Sequence, residues 1–237
     1  MRPPTMAILA ENRRAAGRRT VMAFPLLGLF GLAVLAVGYV IYALWPRWPE
    51  APVAADAPPL PVVIGGARFN VPPQAIRVAV QRRAGTQERL DLVYLWPSLD
   101  PPGPAAATAG LAARDRVFVT IATAASLPPV ERLKNIYPRY TAPDPSPAPA
   151  GLSIFGFRDG TPYQGEDLAF DPAAPERFLA RCARTINRLT PGTCLYERRI
   201  GEADVTVRFP RDWLEGWRDV AAGLDRLIGQ LRPAGGS

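Results

Sequence analysis

Between Val21 and Trp45 the chain runs without a single charged side chain. As a helix rising about 1.5 Å per residue, such a run is long enough to cross a hydrocarbon core of roughly 30 Å, and a membrane-spanning helix is predicted over 21–45. Arg13, Arg14, Arg18 and Arg19 precede it, whereas Arg47 is followed by Glu50 and Asp56. An excess of cations marks the cytoplasmic flank, so residues 1–20 are predicted to be a cytoplasmic basic tail and the residues after the span to lie outside the cytoplasm. Tyr39, Tyr42, Trp45 and Trp48 gather at the far end, where amphipathic rings favour the headgroup layer. A cleaved signal peptide is the rival reading, because Val53, Ala54, Ala55 and Ala57 suit a processing enzyme. Signal-peptide apolar cores run only about 7–15 residues, which favours an uncleaved anchor and makes the lipid bilayer, through residues 21–45, the first expected partner.

The compartment decides the role of the two cysteines, Cys182 and Cys194. Disulfides persist in oxidising compartments, and this spacing matches neither the C-x-x-C of redox catalysts nor paired zinc knuckles, so a structural disulfide is expected. Two free structural cysteines are the alternative. The formal charge of +7 divides unevenly: of 28 basic and 21 acidic residues, five arginines and Glu11 fall in the first twenty positions. The remainder is close to balanced, and no nucleic-acid partner is needed to explain it. Nearly all the cations are arginine in an Ala- and Pro-rich chain, a composition like that of translated GC-rich bacterial DNA. The predicted location is therefore a bacterial inner membrane with a C-terminal periplasmic domain.

Six prolines between Pro46 and Pro61 read as a semi-rigid stalk over 46–61, because such a segment has little to bury and tends to polyproline II. The folded domain is placed at 62–237. Within it, Ile76, Val78 and Val80 alternate with polar neighbours, as do Leu90, Leu92, Tyr94 and Trp96, then Val117, Val119 and Ile121; each run predicts a strand. Leu152 to Phe157 and Asp167 to Phe170 predict a hairpin with Asp159-Gly160 near its tip, and Asp204 to Phe209 a further strand. Proline-rich segments at 101–104 and 143–149 are read as loops. A short helix is predicted after Pro128-Pro129, ending before Pro138. A longer amphipathic helix starts at Asp212 as N-cap, with Leu214, Trp217, Val220, Ala221, Leu224, Leu227, Ile228 and Leu231 in one apolar stripe.

Residues 176–189 fit a helix or a strand by periodicity alone. The order RFLARC, a loop, CLYERRIG, VTVRFPRDWL and GWRDV, with FNVPPQAIR and LWPSLDPP upstream, resembles uncharacterised single-pass bacterial inner-membrane proteins. That resemblance implies a β-meander followed by a helix and favours a strand at 176–189; it implies no activity. The fold class expected is α+β, a mainly antiparallel sheet with a C-terminal amphipathic helix, preceded by one transmembrane helix.

The chain has no histidine. Ser-His and Cys-His activation and the common zinc and haem arrangements are thereby excluded. The remaining nucleophile scheme is a serine such as Ser98 activated by Lys134, which is read as a solvated surface lysine. Glu166 and Asp167 are the available carboxylate pair, but adjacent residues on a strand face opposite ways. No phosphate-binding glycine loop or calcium-loop spacing appears, and neither catalytic residues, a metal nor a cofactor is expected. Arg198, Arg199, Arg208 and Arg211 form a candidate interaction surface for an anionic partner, although strand alternation separates Arg198 from Arg199 and makes surface ion pairing the simpler expectation. The reading is a non-enzymatic accessory or interaction protein of the cell envelope with an envelope protein as partner; a periplasmic hydrolase using carboxylates or a Ser-Lys pair is the alternative.

Overall fold

The computed structural model describes residues 27–43, 53–54, 56–103, 115–149, 151–184 and 192–233. The predicted tail at 1–20, half of the predicted stalk and residues 185–191 lie outside them. Two compact units divide the chain, Met1–Ala51 and Pro52–Ser237. In the first, helix α1 covers 27–43 and exposes large apolar side chains such as Leu27, Phe30 and Leu35. The seventeen described residues amount to about 25 Å at 1.5 Å per residue. Among the described residues no helix is long and apolar enough to cross a membrane. The predicted fold class is corrected accordingly: the transmembrane helix is removed from it, residues 21–26 and 44–45 lying outside the described part.

The second unit is the predicted α+β arrangement of a large antiparallel sheet and a C-terminal helix. β1 (Leu60–Ile64) and β2 (Ala67–Val71) form a hairpin, and the two-residue β3 (Gly85–Thr86) joins β1 in parallel. Gly65 is required at the hairpin turn: its φ is +54°, and a Cβ there would stand 2.0 Å from the carbonyl oxygen of Glu202. The main sheet contains β4 (Arg89–Leu95), β5 (Arg116–Thr123), β6 (Ser153–Gly156), β7 (Glu166–Phe170), β8 (Leu179–Ala183), β9 (Thr193–Ile200) and β10 (Ala203–Pro210). Their spatial order is β4-β5-β10-β9-β8-β7-β6, antiparallel at every pairing.

Side-chain alternation sorts this sheet into two faces. Leu90, Leu92, Val117, Val119, Val205, Val207 and Tyr196 point inward and are buried. Against them packs helix α3 (Trp217–Leu231), whose Val220, Leu224, Leu227 and Leu231 share one core with Ile64 and Phe69 of the first hairpin. Each such side chain contributes about 1.5–3 kcal/mol on burial. The α-helix opens at Trp217, not at Asp212: residues Arg211–Gly216 form a 3-10 turn, and no side chain caps it. The run Ile76–Val80 is not a strand. Ile76 makes a single bridge to Leu92, after which Ala79–Gln81 curls into a 3-10 turn whose Gln81 accepts the Asp91 amide at 2.8 Å.

Cys182 and Cys194 are disulfide-bonded, as expected, and lie opposite each other on β8 and β9. In the same inward row stand Gly156, Asp167 and Phe209. The buried Asp167 receives Arg184 Nε at 2.8 Å and Arg211 Nη2 at 2.5 Å, and Arg211 also donates to the carbonyl of Cys182 at 3.2 Å. Gly156 leaves the room Arg184 occupies, since a Cβ there would meet its Nη2 at 2.8 Å.

Two glycines of α3 make contrasting predictions. A Cβ on Gly223 would sit 2.8 Å from Trp96 Cζ3, whereas nothing lies within 4 Å of one on Gly229. Gly223→Ala is expected to destabilise by about 1–3 kcal/mol through overpacking, and Gly229→Ala to stabilise by up to about 1 kcal/mol, both read by urea denaturation. Replacing both cysteines by alanine releases a loop of sequence separation 12. It is expected to cost about 3 kcal/mol in the same assay.

Candidate functional site

The four arginines singled out in the sequence do not form one surface. Arg198 points inward and pairs with Asp225 of α3, which also takes Arg177 at 3.4 Å. Arg199 points outward to Asp204 at 2.6 Å and donates to the carbonyl of Ser126. Arg211 belongs to the Asp167 cluster. Arg208 alone of the four is exposed on the outer sheet face, with no ion pair among the described residues. The carboxylates weighed for catalysis part as alternation requires: Glu166 faces outward to Arg181 at 2.9 Å, and Asp167 faces inward. Lys134 is exposed, and Ser98 closes a turn by accepting the Asp100 amide at 3.3 Å.

The outer face is divided in two. Helix α2 (Pro129–Asn135) and the 3-10 turn Tyr137–Arg139 cover its β6–β9 side. Arg132 anchors them, pairing with Glu197 at 3.0 Å and donating to the Tyr137 hydroxyl at 2.8 Å. Burial of that phenol, with Glu197 close by, pushes its pKa up to about 12. Tyr137, Phe157, Leu168 and Leu179 form a second small core there. Beyond it no described helix covers the face, although Val93 is buried there. A row across β9, β10, β5 and β4 carries Leu195, Arg208, Phe118 and Val93, and Arg77 lies over the Phe118 ring, its guanidinium carbon 4.8 Å from the centroid.

The carboxylates of this outer face are taken. Glu197 is held by Arg132, Asp204 by Arg199, and Asp91 by Arg89 at 2.8 Å. Asp91 also accepts from Thr120 at 2.9 Å and Gln81 at 3.1 Å. Its hydrogen bonds from Arg89 above all, with those of Gln81 and Thr120 and against the opposing effect of burial, hold the carboxyl down to about 2.

A cleft of about 610 Å³ opens at the other end of the outer face, between α2 and the β6–β7 hairpin. Phe155 and Phe170, stacked with centroids 6.1 Å apart, form part of its wall, Leu168 lies at its base, and Arg158 is its charged lining residue. The segment 141–146 straps the β6 edge, Ala142 donating to the Gly156 carbonyl at 2.8 Å and Ser146 to that of Ile154 at 2.7 Å. Sequence reasoning missed this cleft. The signal was that β6 and β7 are apolar on both faces, Ile154 beside Phe155 and Leu168 beside Ala169, unlike a strand with one face in water.

No protein-family model matches the sequence, and no curated protein matches it significantly. Solved structures are similar to most of its length. An immunity protein of the Stenotrophomonas maltophilia type IV secretion system superposes with a TM-score of 0.51 at 13% identity, over 79% of this chain and 100% of that one. The iron-regulated outer membrane lipoprotein of Neisseria meningitidis gives 0.47 at 9% identity, over 77% and 95%. At these identities the likeness to the immunity protein is one of fold.

Asp91 supplies a pH prediction. Because its folded pKa lies below the unfolded value, near 3.9, its stabilisation is complete above that value and is lost as pH falls toward about 2. Asp91→Asn is expected to flatten the fall in stability between roughly pH 4 and pH 2, measured by urea denaturation across that range.

Proposed function

We propose that this chain is a non-enzymatic protein of the bacterial envelope whose domain works outside the cytoplasm, binding another envelope protein through the open part of its outer sheet face. The observation that carries this reading is the imbalance of charge there. Arg77 and Arg208 are exposed beside Phe118 and Leu195, while Glu197, Asp204 and Asp91 are each neutralised by an arginine of the same chain. An aromatic ring flanked by arginines is the composition of a binding hot spot, and the complementary partner presents carboxylates around an apolar anchor. The disulfide supports an oxidising compartment, where such a pair persists.

Two measurements test the reading. A photo-crosslinking residue at Phe118 is expected to give one discrete protein adduct in intact cells, absent when the same residue replaces Asp159, and strongly reduced by Arg77→Glu with Arg208→Glu. Failure to form an adduct at Phe118, or an adduct indifferent to the double charge reversal, rejects the surface. In intact cells neither cysteine is expected to react with a maleimide before reduction; free labelling of both rejects the compartment.

A further inference from the structure

The cleft between α2 and the β6–β7 hairpin is chemically unlike the open face, and it stands independently of the function proposed above. Its walls are the rings of Phe155 and Phe170 with Leu133, Leu168 and Pro138, and among the described residues no carboxylate lines it. A volume of about 610 Å³ lies within the range of small-ligand sites, which are mostly apolar with a few placed polar groups. Here the placed group is Arg158. Its Nη2 donates to the carbonyl of Arg139, which fixes the guanidinium at the cleft and leaves its other N–H groups for an acceptor. An extended peptide would need the β6 edge, but the carbonyls of Gly156 and Ile154 already accept from Ala142 and Ser146 of the strap. What remains is a walled apolar space with one cation.

From this geometry we propose that the cleft binds a small amphiphile: an apolar body held between Phe155, Phe170 and Leu168, and a single carboxylate held by Arg158. A planar guanidinium matches a carboxylate with two parallel hydrogen bonds, so the head group is specified as well as the body.

The test uses the full chain with Thr141→Cys, which places one thiol in the cleft wall; the described native cysteines are tied in their disulfide. Decanoate, below its micelle concentration, is expected to slow maleimide reaction at this thiol saturably. The same thiol placed by Asp159→Cys, outside the cleft, is expected to react unchanged. Adding Arg158→Gln to the Thr141→Cys chain should weaken protection by decanoate about ten- to a hundredfold, the loss of a charge-assisted hydrogen bond, and leave any weak protection by decanol as it was. Equal protection by decanoate and decanol, unaltered by Arg158→Gln, overturns the carboxylate assignment. No saturable protection, or protection equal at both thiols, overturns the site. Protection by a short peptide ending in phenylalanine where decanoate gives none assigns the cleft to a protein terminus and overturns the proposal as well.

Discussion

The register of β8 against its neighbours is the constraint from which the two outer sites follow. Cys182 faces Cys194 across one pairing and Asp167 across the other, and the disulfide fixes the first while Arg184 and Arg211 clamp the second. A slip of one residue would turn every side chain of the strand to the opposite face. It would carry Arg181 into the apolar core and Ala180 out of it. An unpaired buried charge costs several kcal/mol, so the covalent link and the ion cluster resist the same error by different means. The two also depend on each other. Arg211 reaches Asp167 from beyond the end of β10 while donating to the carbonyl of Cys182, so the clamp closes only when β10, β9, β8 and β7 are all in place.

With the faces fixed, electrostatics divides the outer one. Arg181 stands between Glu166 at 2.9 Å and Glu197 at 3.9 Å, and Arg132 brings a second guanidinium to Glu197. One carboxylate is thereby shared by two arginines from different elements, and the half-buried setting strengthens the attraction relative to open water. The consequence is positional. α2 is drawn over the β6–β9 side, Tyr137 follows it into the second core, and no described helix covers the strands on the far side. Both the covered cleft and the open row descend from where Arg132 finds its acid.

How much of this was legible in the sequence depends on whether the determinant was local. Val117, Val119 and Ile121, and the run Asp204 to Phe209, announced their strands because each has one face in the core and the other toward water. The same rule separated Arg198 from Arg199 and Glu166 from Asp167 without coordinates. It failed at Ile76–Val80, where alternation is present but a neighbour is not: that segment lies against the edge strand β4 and is held by one bridge and side-chain bonds from Gln81. The start of α3 failed for a related reason. Asp212 has the right chemistry for an N-cap, but Pro210 and the buried Leu214 set a 3-10 turn first. The uncharged run was read as a full span, whereas the helix described covers 27–43. No local pattern foretold that Arg77 would lie over Phe118, since the contact joins residues brought together only by the β4–β5 pairing.

The two outer sites differ in what they ask of a partner. On the open row the half-buried apolar groups, Leu195 and Phe118, lie on a broad sheet surface beside exposed arginines, so a ligand must be extensive to displace enough water there. In the cleft the apolar groups surround a bounded space, and one cation at its wall satisfies one anion. A small molecule buries most of its surface in the second geometry and little in the first. The two proposals thus assign a protein-sized contact to the β4–β9 side of the sheet and a small-molecule contact to its β6 side. The strap at 141–146 and α2 make the difference, because they add the third dimension that a pleated surface lacks.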